Sequence, residues 1–429
     1  MFRTNLQTPT VKVALIVLFA LAVLLTVTAQ AQTLTVLHNF TGGGDGAHPA
    51  AGLTSDSAGN FYGTTYGTTQ YGGVDYGNVF KLVHKDSGWI LTSLYTFQGG
   101  NDGATPNAEV IFGPDGALYG TTLFGGGGAC RSGTGVYGCG TVFKLTPPST
   151  VCHTTSCPWT ETILYRFQAG NDASNPASRV TFDQSGNLYG TTDSGGTSGH
   201  GTVYELQPSN GSWSESILYS FSPGPNGINP KAEVIFDGAG NLYGTAPQGG
   251  QGCSGLGCGV VYELSHSGSG WIETVLYSFS GGNDGADPYG GLIFDAAGNL
   301  YGTTVYGGTN NPGGTVFELS PSSGGWRLTT LESLYGNSGP DATLAMGRVG
   351  NLYGTASGDP FGSGSVFELE RSGGGWTFHE LHSFNGTDGL FVYGSPVLDS
   401  AGNIYGTTNL GGTSQNCSDG CGVVWEITP

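Results

Sequence analysis

The sequence is poor in basic side chains. Lysine and arginine together number 12, against 31 aspartate and glutamate residues, which gives the 429-residue chain a formal net charge of −19. Nucleic acids and anionic lipid surfaces are bound mainly through lysine and arginine contacts with phosphate groups. The shortage of basic residues therefore argues against nucleic acid and anionic membranes as partners.

Long apolar runs are also scarce. The longest, residues 13–28, follows two basic residues and precedes the small-residue sequence Ala-Gln-Ala at 29–31. This order is typical of a secretory signal peptide. The alternative, an uncleaved membrane anchor, is less favoured because a bilayer-spanning helix needs roughly 20 apolar residues. We predict that residues 1–31 are removed and that the mature chain, residues 32–429, is secreted to the periplasm or the extracellular medium without a membrane anchor.

Linear catalytic motifs are lacking as well. The sequence contains no G-x-S-x-G, H-E-x-x-H or P-loop pattern, the signatures of many hydrolases, metalloproteases and nucleotide-binding proteins. The arginines of the mature chain are dispersed, without relation to any repeat, so we expect no sialidase-like arginine cluster. No catalytic residue is therefore assigned from the sequence, and a binding protein is favoured over an enzyme.

Glycine, by contrast, is abundant, and its 80 residues recur at regular intervals among aromatic and β-branched residues. The phrase Tyr-Gly-Thr recurs at seven positions spaced 52 to 70 residues apart, which indicates a repeat protein. The phrase begins at Tyr62, Tyr119, Tyr189, Tyr243, Tyr301, Tyr353 and Tyr405.

Each repeat contains four short phrases of the kind that forms β-strands. Examples are GLIFD at 291–295, LYGTT at 300–304, GTVFEL at 314–319 and WIETVLYSF at 271–279. They are rich in β-branched and aromatic residues and are bounded by glycine, proline, asparagine and aspartate. An Asp-x-x-Gly-Asn turn joins the first two phrases in a tight hairpin. We therefore predict an all-β fold with four antiparallel strands in each unit.

Seven such units predict a seven-bladed β-propeller. The rival fold, an open β-solenoid, would have atypical capping repeats at both ends. Here the last unit stops after its third strand, and the segment 33–40, TLTVLHNF, matches a fourth strand. We predict that this N-terminal strand completes the last blade and closes the ring, so that residues 32–429 form one domain. The glycine of each Tyr-Gly-Thr is expected to let neighbouring blades approach closely.

The recurring sequence GNLYGTT…GTVFEL…LYSF…GGNDGAxP resembles the tandem repeat of the choice-of-anchor GloVer-containing proteins, which are exported bacterial proteins named for variable C-terminal sorting signals. The resemblance extends over residues 33–429. It implies export and a repeat architecture, and no particular chemistry. This chain departs from the pattern because it ends at Pro429, directly after a strand, so we expect free secretion.

The repeats differ most in the connection between their second and third strands. The distance from the tyrosine to the third-strand aromatic residue varies from 14 to 24 residues. In a four-stranded antiparallel blade this connection and the crossover to the next blade lie on one rim. Binding residues usually lie on loops held by a rigid scaffold, so we predict that this rim binds the ligand. Its candidate aromatic contacts are Tyr66, Tyr71, Tyr76, Phe124, Tyr137 and Tyr306.

The cysteines form four local pairs, three in the longest of these loops and one in the long connection after the third-strand residue Phe143, and an exported protein would be expected to oxidise them. The alternative, zinc, is disfavoured because the spacings lack paired C-x-x-C motifs and no histidine follows at ligand spacing. The predicted disulfides are Cys130–Cys139, Cys152–Cys157, Cys253–Cys258 and Cys417–Cys421.

A carboxylate also recurs in the crossovers, with Asn226 in the equivalent place of one repeat. One interpretation is a turn in which the side chain accepts backbone N–H bonds. The other is a carboxylate ring near the channel mouth that binds Ca²⁺ through oxygen ligands or hydrogen-bonds sugar hydroxyls. The sequence leaves both open. The residues are Asp45, Asp102, Asp172, Asp284 and Asp388.

Other polar residues that recur by repeat are expected to be structural. His38 and His382 occupy the place of Tyr277 in the fourth strand, and the charged residue after the third-strand aromatic, such as Glu263, is expected to be solvated or paired. The hairpin aspartates, such as Asp295, are expected to shape turns.

These observations predict a secreted, monomeric, non-enzymatic propeller that binds an extracellular glycan or protein through one rim. The alternative is a polysaccharide-active hydrolase or lyase that uses rim carboxylates, because glycoside cleavage needs two carboxyl groups about 5–10 Å apart. A structural role in an extracellular matrix is a third hypothesis. Release of reducing ends separates the second hypothesis from the first.

Overall fold

The computed structural model describes residues 32–67, 75–133, 135–148, 159–268, 270–309, 313–336, 339–358 and 362–428. These residues form 30 strands, and seven of the sheets contain four antiparallel strands each. No helix occurs in this described part of the chain. The predicted all-β, seven-bladed propeller is confirmed.

Every blade contains the four predicted strands, which follow chain order from the axis outward in six blades; in the seventh, the N-terminal strand is outermost. The innermost strands are β2 (Thr54–Ser55), β6 (Ile111–Phe112), β11 (Thr181–Phe182), β16 (Ile235–Phe236), β20 (Ile293–Phe294), β24 (Ala345–Met346) and β28 (Val397–Leu398). The second strands are β3 (Phe61–Thr65), β7 (Leu118–Thr122), β12 (Leu188–Thr192), β17 (Leu242–Ala246), β21 (Leu300–Thr304), β25 (Leu352–Ala356) and β29 (Ile404–Thr408).

The third and fourth strands are longer. The third strands are β4 (Asn78–Lys85), β8 (Thr141–Thr146), β14 (Thr202–Ser209), β18 (Val260–Ser267), β22 (Thr315–Ser322), β26 (Ser365–Ser372) and β30 (Val423–Thr428). The outermost strands are β5 (Gly88–Thr96), β9 (Thr160–Arg166), β15 (Ser212–Ser220), β19 (Gly270–Ser278), β23 (Gly325–Ser333), β27 (Gly375–Ser383) and β1 (Thr33–Asn39). Two further strands, β10 (Ala173–Ser174) and β13 (Ser194–Gly195), pair on the rim.

The N-terminal strand completes the seventh blade, as predicted. β1 pairs antiparallel with β30, from the pair Thr33 and Thr428 to the pair Asn39 and Val423. The order of strands in this sheet is β1-β30-β29-β28. The ring is therefore closed by backbone hydrogen bonds between the two ends of the folded chain.

The glycine of each Tyr-Gly-Thr phrase makes room for an aromatic ring of its own blade. A Cβ atom on Gly63 would collide with the ring of Phe80, and one on Gly406 would collide with Trp425. Each ring belongs to the residue opposite the glycine on the third strand. The prediction that these glycines serve close approach between neighbouring blades is therefore wrong, because the group that needs the space comes from the same sheet.

The threonine of the phrase is what joins neighbouring blades. Thr64 Oγ1 donates a hydrogen bond to the carbonyl oxygen of Ala108 in the next blade, at 3.1 Å. The equivalent bond occurs at all seven contacts between blades. The other six donors and acceptors are Thr121 and Ser178, Thr191 and Ala232, Thr245 and Gly290, Thr303 and Ala342, Thr355 and Gly394, and Thr407 and Ala51. This closed ring of bonds gives the repeated phrase a structural reason.

Aromatic side chains fill the space between blades. Phe40, which follows β1, packs edge-on against Phe80 of the next blade, with ring centroids 5.3 Å apart. Trp159 contacts Tyr62 of the preceding blade at 6.3 Å. Equivalent pairs recur around the ring, so the core consists of seven clusters shared by adjacent blades. Trp425 fills the third-strand aromatic position, as expected, and is fully buried.

Candidate functional site on the axis

The blades surround a cavity of about 310 Å³ on the propeller axis. Three consecutive residues from every blade form its wall, in the segment that leads into the innermost strand. Tyr66, which follows β3, also lines it, so the cavity opens on the rim that carries the connections between second and third strands. This is the rim that the sequence predicts to bind a ligand.

We name two rings of seven residues within this wall. The mouth ring, nearest the rim, consists of Ala50, Asn107, Ala177, Lys231, Tyr289, Asp341 and Tyr393. The floor ring, two residues further along each chain segment, consists of Gly52, Glu109, Arg179, Glu233, Gly291, Thr343 and Ser395.

A strained residue fixes the path of the chain into the cavity. His48, two residues before the mouth ring, has a φ angle of 60°, a left-handed conformation that costs roughly 1–2 kcal/mol in a residue other than glycine. Its N–H group donates to the carbonyl oxygen of Cys421 at 2.8 Å, and its carbonyl oxygen accepts from the N–H group of Tyr66 at 3.1 Å. Five other blades have the same conformation, at Thr105, Asn175, Asn229, Asp287 and Phe391. The backbone that leads into the mouth ring is therefore held in one conformation by these hydrogen bonds.

An ion-pair network crosses the floor ring. Arg179 Nη1 lies 2.9 Å from Glu109 Oε2, and its Nη2 lies 3.0 Å from Glu233 Oε1. Thr343 Oγ1 donates to Glu233 Oε1 at 3.2 Å and accepts the N–H group of Gly291 at 2.8 Å. Charged groups from three adjacent blades thus hold one another on the axis.

Glycine makes this network possible at two positions. A Cβ atom on Gly52 would collide with the carboxylate of Glu109, and a Cβ atom on Gly291 would lie 2.8 Å from the carboxylate of Glu233. Any larger residue there would displace one of the two glutamates. Because Gly52 and Gly291 have no side chains, there is space on the floor for the carboxylates of Glu109 and Glu233.

Electrostatics show that the floor network is short of positive charge. Burial raises the pKa of Glu109, although Arg179 opposes the shift. The pKa of Arg179 is raised, mainly by Glu233 and further by Glu109. Two carboxylates share a single guanidinium group, and their side chains are only 13% and 9% exposed. Neither glutamate is therefore available as an independent nucleophile or base.

The mouth combines aromatic rings with charged and polar groups. Lys231 Nζ lies 5.2 Å from the ring centroid of Tyr289 and 3.9 Å from Asp193 Oδ1. Burial raises the pKa of the Tyr289 hydroxyl, and the nearby carboxylates of Asp287, Asp193 and Asp341 raise it further. Burial also raises the pKa values of Asp193 and Asp287. Tyrosine faces beside carboxylates and amides are the groups that orient polar ligands in concave sites.

The predicted rim aromatics do not form one patch. Of the five predicted aromatics that the structure describes, Tyr66 alone lines the cavity. Tyr76 packs against Gly99 and the core, and Phe124 pairs through its backbone with Ala104. Tyr137 is 63% exposed and lies beside Arg131, whereas Tyr306 is 49% exposed. Tyr71 lies outside the described residues.

The crossover aspartates face their own loops. Asp102 Oδ2 accepts the N–H group of Gln98 at 2.9 Å and the hydroxyl of Tyr95 at 3.1 Å. In Asp45 the partners are Thr41 and His38, whose hydrogen bonds hold the aspartate pKa below its ordinary value despite the opposing effect of burial. Equivalent contacts occur at Asp172, Asp284 and Asp388.

None of these five aspartates lines the axial cavity. Each is held beside the outermost strand that precedes its loop, so the structure does not bring the five together. Among the residues that the structure describes, no three histidine, cysteine, aspartate or glutamate side chains converge in a way that could hold a metal ion. The backbone contacts are those expected for turn residues.

Other recurring polar residues are paired within the sheets. The Tyr189 hydroxyl donates to Glu205 Oε1 at 2.6 Å, and Tyr301 donates to the hairpin residue Asp295 at 3.1 Å. His382 contacts Asp388 at 2.9 Å from the outermost strand. These contacts agree with structural roles for all three positions.

Three of the predicted disulfides are formed. They join Cys130 to Cys139, Cys253 to Cys258 and Cys417 to Cys421, with Cα atoms 4.9, 5.4 and 5.3 Å apart. Cys152 and Cys157 lie outside the described residues. Such bonds indicate an oxidising compartment, as the periplasm or the extracellular medium provides. The described residues contain no helix long and apolar enough to cross a membrane.

The floor network was not predicted from the sequence. The arginines were expected to be unrelated to the repeat, but Arg179 occupies a repeat position, three residues after Pro176, and lies on the axis. The signal that could have revealed it is the variation of this position among glycine, glutamate, arginine, threonine and serine, whereas the residue before it is always alanine, serine or glycine. In a closed ring of repeats, side chains at one repeat position can meet on the axis. A position whose residue type differs between repeats therefore indicates side chains that interact there.

Solved structures share this fold at low sequence identity. An ulvan lyase, described as belonging to a new family of polysaccharide lyase and bound to -[GlcA(1-4)Rha3S]-, has a TM-score of 0.54 at 10% identity, covering 91% of this chain and 95% of that chain. A putative gluconolactonase has a TM-score of 0.41 at 12% identity, covering 93% and 92%. At 10% identity the likeness to the ulvan lyase shows the fold alone.

Comparison with curated proteins gives no match. The model of the Gloeobacter/Verrucomicrobia repeat matches residues 127–339 and 256–429, which together are more than half of the chain. The family resemblance drawn from the repeated phrases is thereby confirmed, and the protein belongs to the Gloeobacter/Verrucomicrobia repeat family.

Proposed function

We propose that this protein is a secreted binding protein that takes a glycan at the mouth of its axial cavity. The observation that carries the proposal is the lining of that cavity, where Tyr66, Tyr289 and Tyr393 share one concave surface with the polar side chains of Asn107 and Asp341. Sugar rings present apolar faces that stack on aromatic rings, and hydroxyl groups that carboxylates and amides hydrogen-bond.

The size of the cavity limits what it can enclose. Its volume of about 310 Å³ is at the lower end of the range of roughly 300–1,000 Å³ that is usual for small-molecule sites. One or two sugar residues would fill it. A longer chain would continue over the rim, where the disulfide-closed loops and the exposed Tyr137 and Tyr306 offer further contacts.

The chemistry of the lining favours binding over hydrolysis. A glycosidase needs two carboxyl groups on either side of the scissile bond, but the guanidinium group of Arg179 lies between Glu109 and Glu233. Substrate would have to displace the arginine to reach both glutamates. The crossover aspartates are likewise committed to loop hydrogen bonds.

A lyase would require a base able to remove a proton from the sugar. In the described cavity, the group that comes closest to this requirement is the hydroxyl of Tyr289, whose ring lies beside Lys231. Burial raises the pKa of this hydroxyl, which lowers the fraction present as the phenolate that would act as the base.

The proposal is tested with the mature protein, residues 32–429, on an array of neutral, amino-sugar and uronate oligosaccharides. Calorimetry then measures the affinity for each positive ligand, and chromatography follows release of reducing ends or unsaturated products. We expect binding without turnover. Release of products above the rate of the protein-free control would replace the proposal with the enzymatic alternative.

Two tyrosine variants locate the site. Tyr289→Ala should weaken binding by about tenfold, because a stacked aromatic ring contributes roughly 1–1.5 kcal/mol. Tyr137→Ala is the matched control, since this exposed tyrosine lies outside the cavity. Loss of binding with Tyr137→Ala alone would move the site from the cavity to the rim loops.

A further inference from the structure

Resting on the proposed glycan-binding function, we propose that the mouth selects amino sugars through a cation subsite formed by Tyr289, Asp341 and Tyr393. The ligand group that this subsite takes is a primary ammonium, as in oligomers of glucosamine. The three residues come from consecutive blades and occupy consecutive places in the mouth ring.

The arrangement places a carboxylate between two aromatic side chains. Asp341 is the mouth-ring residue between Tyr289 and Tyr393, and it is close enough to Tyr289 to act on the ionisation of its hydroxyl. An ammonium group is attracted to the face of a tyrosine ring within about 6 Å of its centroid. A carboxylate beside the ring adds a charged hydrogen-bond acceptor.

The same pair of groups already holds an ammonium in this protein. Lys231 Nζ lies 5.2 Å from the ring centroid of Tyr289, with Asp193 Oδ1 at 3.9 Å. One aromatic ring and one carboxylate therefore hold the lysine ammonium at the adjacent place in the ring. The proposed subsite repeats this combination on the other side of Tyr289, with a second tyrosine added.

Charge balance favours a cationic ligand over an anionic one. The cavity lining contains the carboxylates of Glu109, Glu233 and Asp341 against the cations of Arg179 and Lys231, and the arginine is already shared by both glutamates. Asp193 and Asp287 lie close to Tyr289 and add negative charge. The whole chain has a formal charge of −19. A concave site of one sign attracts the opposite charge and repels uronates.

Calorimetry with three oligosaccharides of equal length provides the test. Glucosamine oligomers, their N-acetylated counterparts and uronate oligomers are titrated separately into the mature protein at about pH 6, where the free amine is protonated. We expect the glucosamine oligomer to bind about tenfold more tightly than the acetylated one, which is the effect of one cation–π contact. We also expect this preference to shrink as salt is added.

Asp341→Asn keeps the shape of the side chain and one oxygen acceptor for sugar hydroxyls but removes the charge, so it should weaken binding of the glucosamine oligomer far more than binding of the acetylated one and thereby abolish the preference. Asp284→Asn is the matched control, because this aspartate lies outside the cavity lining. Equal affinities for the two oligomers, or a preference insensitive to salt and to Asp341→Asn, would overturn the inference. If the inference fails but the acetylated oligomer still binds in a way that depends on Tyr289, the proposed glycan-binding function is retained without the amino-sugar preference. If no oligosaccharide binds, both the glycan-binding function and the amino-sugar preference are wrong.

Discussion

The hydroxyl of Thr407 donates a hydrogen bond to the carbonyl oxygen of Ala51, 356 residues away in the chain, at 2.7 Å. The contact between the seventh and first blades is therefore made by the same bond as the other six. Because the last blade also borrows its outermost strand from the N-terminus, the ring depends on both ends of the folded chain.

Removal of residues 33–40 should open the ring. β30 would lose its partner β1, and an unpaired strand edge promotes association between molecules. We expect the truncated protein to melt at a lower temperature and to aggregate, as measured by calorimetry and size-exclusion chromatography. A truncated protein that stays monomeric and melts like the parent would contradict closure by the N-terminal strand.

Tyr262→Phe should leave the protein as stable as the parent or stabilise it by about 1–2 kcal/mol. The Tyr262 side chain is fully buried, and its hydroxyl has no hydrogen-bond partner among the described residues; an unsatisfied buried hydroxyl costs roughly that amount. Phenylalanine fills this place in other blades, as Phe317 does. The reverse change, Phe317→Tyr, is the control and should destabilise in urea titration. A clear loss of stability with Tyr262→Phe would show that the hydroxyl has a partner in solution.

Arg179→Met should be strongly destabilising because it leaves two carboxylates together on the axis. Losing one partner of a buried pair costs roughly 3–5 kcal/mol, and the 35% exposure of the arginine side chain should reduce this to about 2 kcal/mol. Adding Glu109→Gln and Glu233→Gln should restore most of the stability, since no charge then remains unpaired. If the single variant unfolds in urea at the same midpoint as the parent, the floor network does not hold the blades.

Three glutamates should make stability depend on pH. Each lies two residues after the outer-strand tryptophan, where other blades have leucine or phenylalanine. In each, one buried carboxylate oxygen has no hydrogen-bond partner within the part of the chain that the structure describes. Burial raises the pKa of each from the ordinary 4.5 to about 7. The residues are Glu161, Glu215 and Glu273.

A carboxyl group with a raised pKa binds its proton more tightly in the folded state. Its stabilising contribution to the free energy of unfolding is therefore complete below pH 4.5 and is lost as the pH rises through about 7. After allowance for partial exposure, we expect each glutamate to lower the free energy of unfolding by on the order of 1 kcal/mol across this interval. Urea titrations at pH 5 and pH 8 measure the change. The triple Glu→Gln variant should flatten it, and an equally steep decline in that variant would contradict the assignment.

The hairpin aspartates should make the protein less stable as the pH falls, whereas the three glutamates make it less stable as the pH rises. Hydrogen bonds from Asn299 and its neighbours hold the pKa of Asp295 below its ordinary 3.8, against the effect of burial, as also occurs at Asp237 and Asp399. Their stabilisation is present above pH 3.8 and is lost as the pH falls below it. The two effects occupy separate pH ranges, so a full pH series distinguishes them.

The fold was predictable from the sequence because its local signals agree across the repeats. Alternating strand residues and Asp-x-x-Gly-Asn turns predict the blades, and the segment 33–40 predicts the closure. The innermost strand is shorter than its phrase: only Ile293 and Phe294 of GLIFD pair in β20. Gly291 before them lines the axis, where a closed ring offers no strand to pair with.

The axial site was largely beyond prediction because its residues meet only in the closed ring. Glu109, Arg179 and Glu233 are separated by more than fifty residues in the chain, and no local pattern links them. Tyr289 and Tyr393 interrupt a position that is otherwise small or polar, which makes them visible only after the blades are aligned. Loop length identified the rim on which the cavity opens and did not identify the cavity itself.

The central claim, that the axial cavity binds the ligand, is tested most directly by filling it. Ala177 is a small mouth-ring residue, so Ala177→Trp should block the cavity, whereas Ala239→Trp places the same side chain in an exposed hairpin on the opposite rim. Calorimetry measures binding of the tightest oligosaccharide from the array to both variants and to the parent. We expect Ala177→Trp to lose at least about tenfold in affinity with an unchanged melting temperature, and Ala239→Trp to bind like the parent. Undiminished affinity in a folded Ala177→Trp variant would contradict the claim.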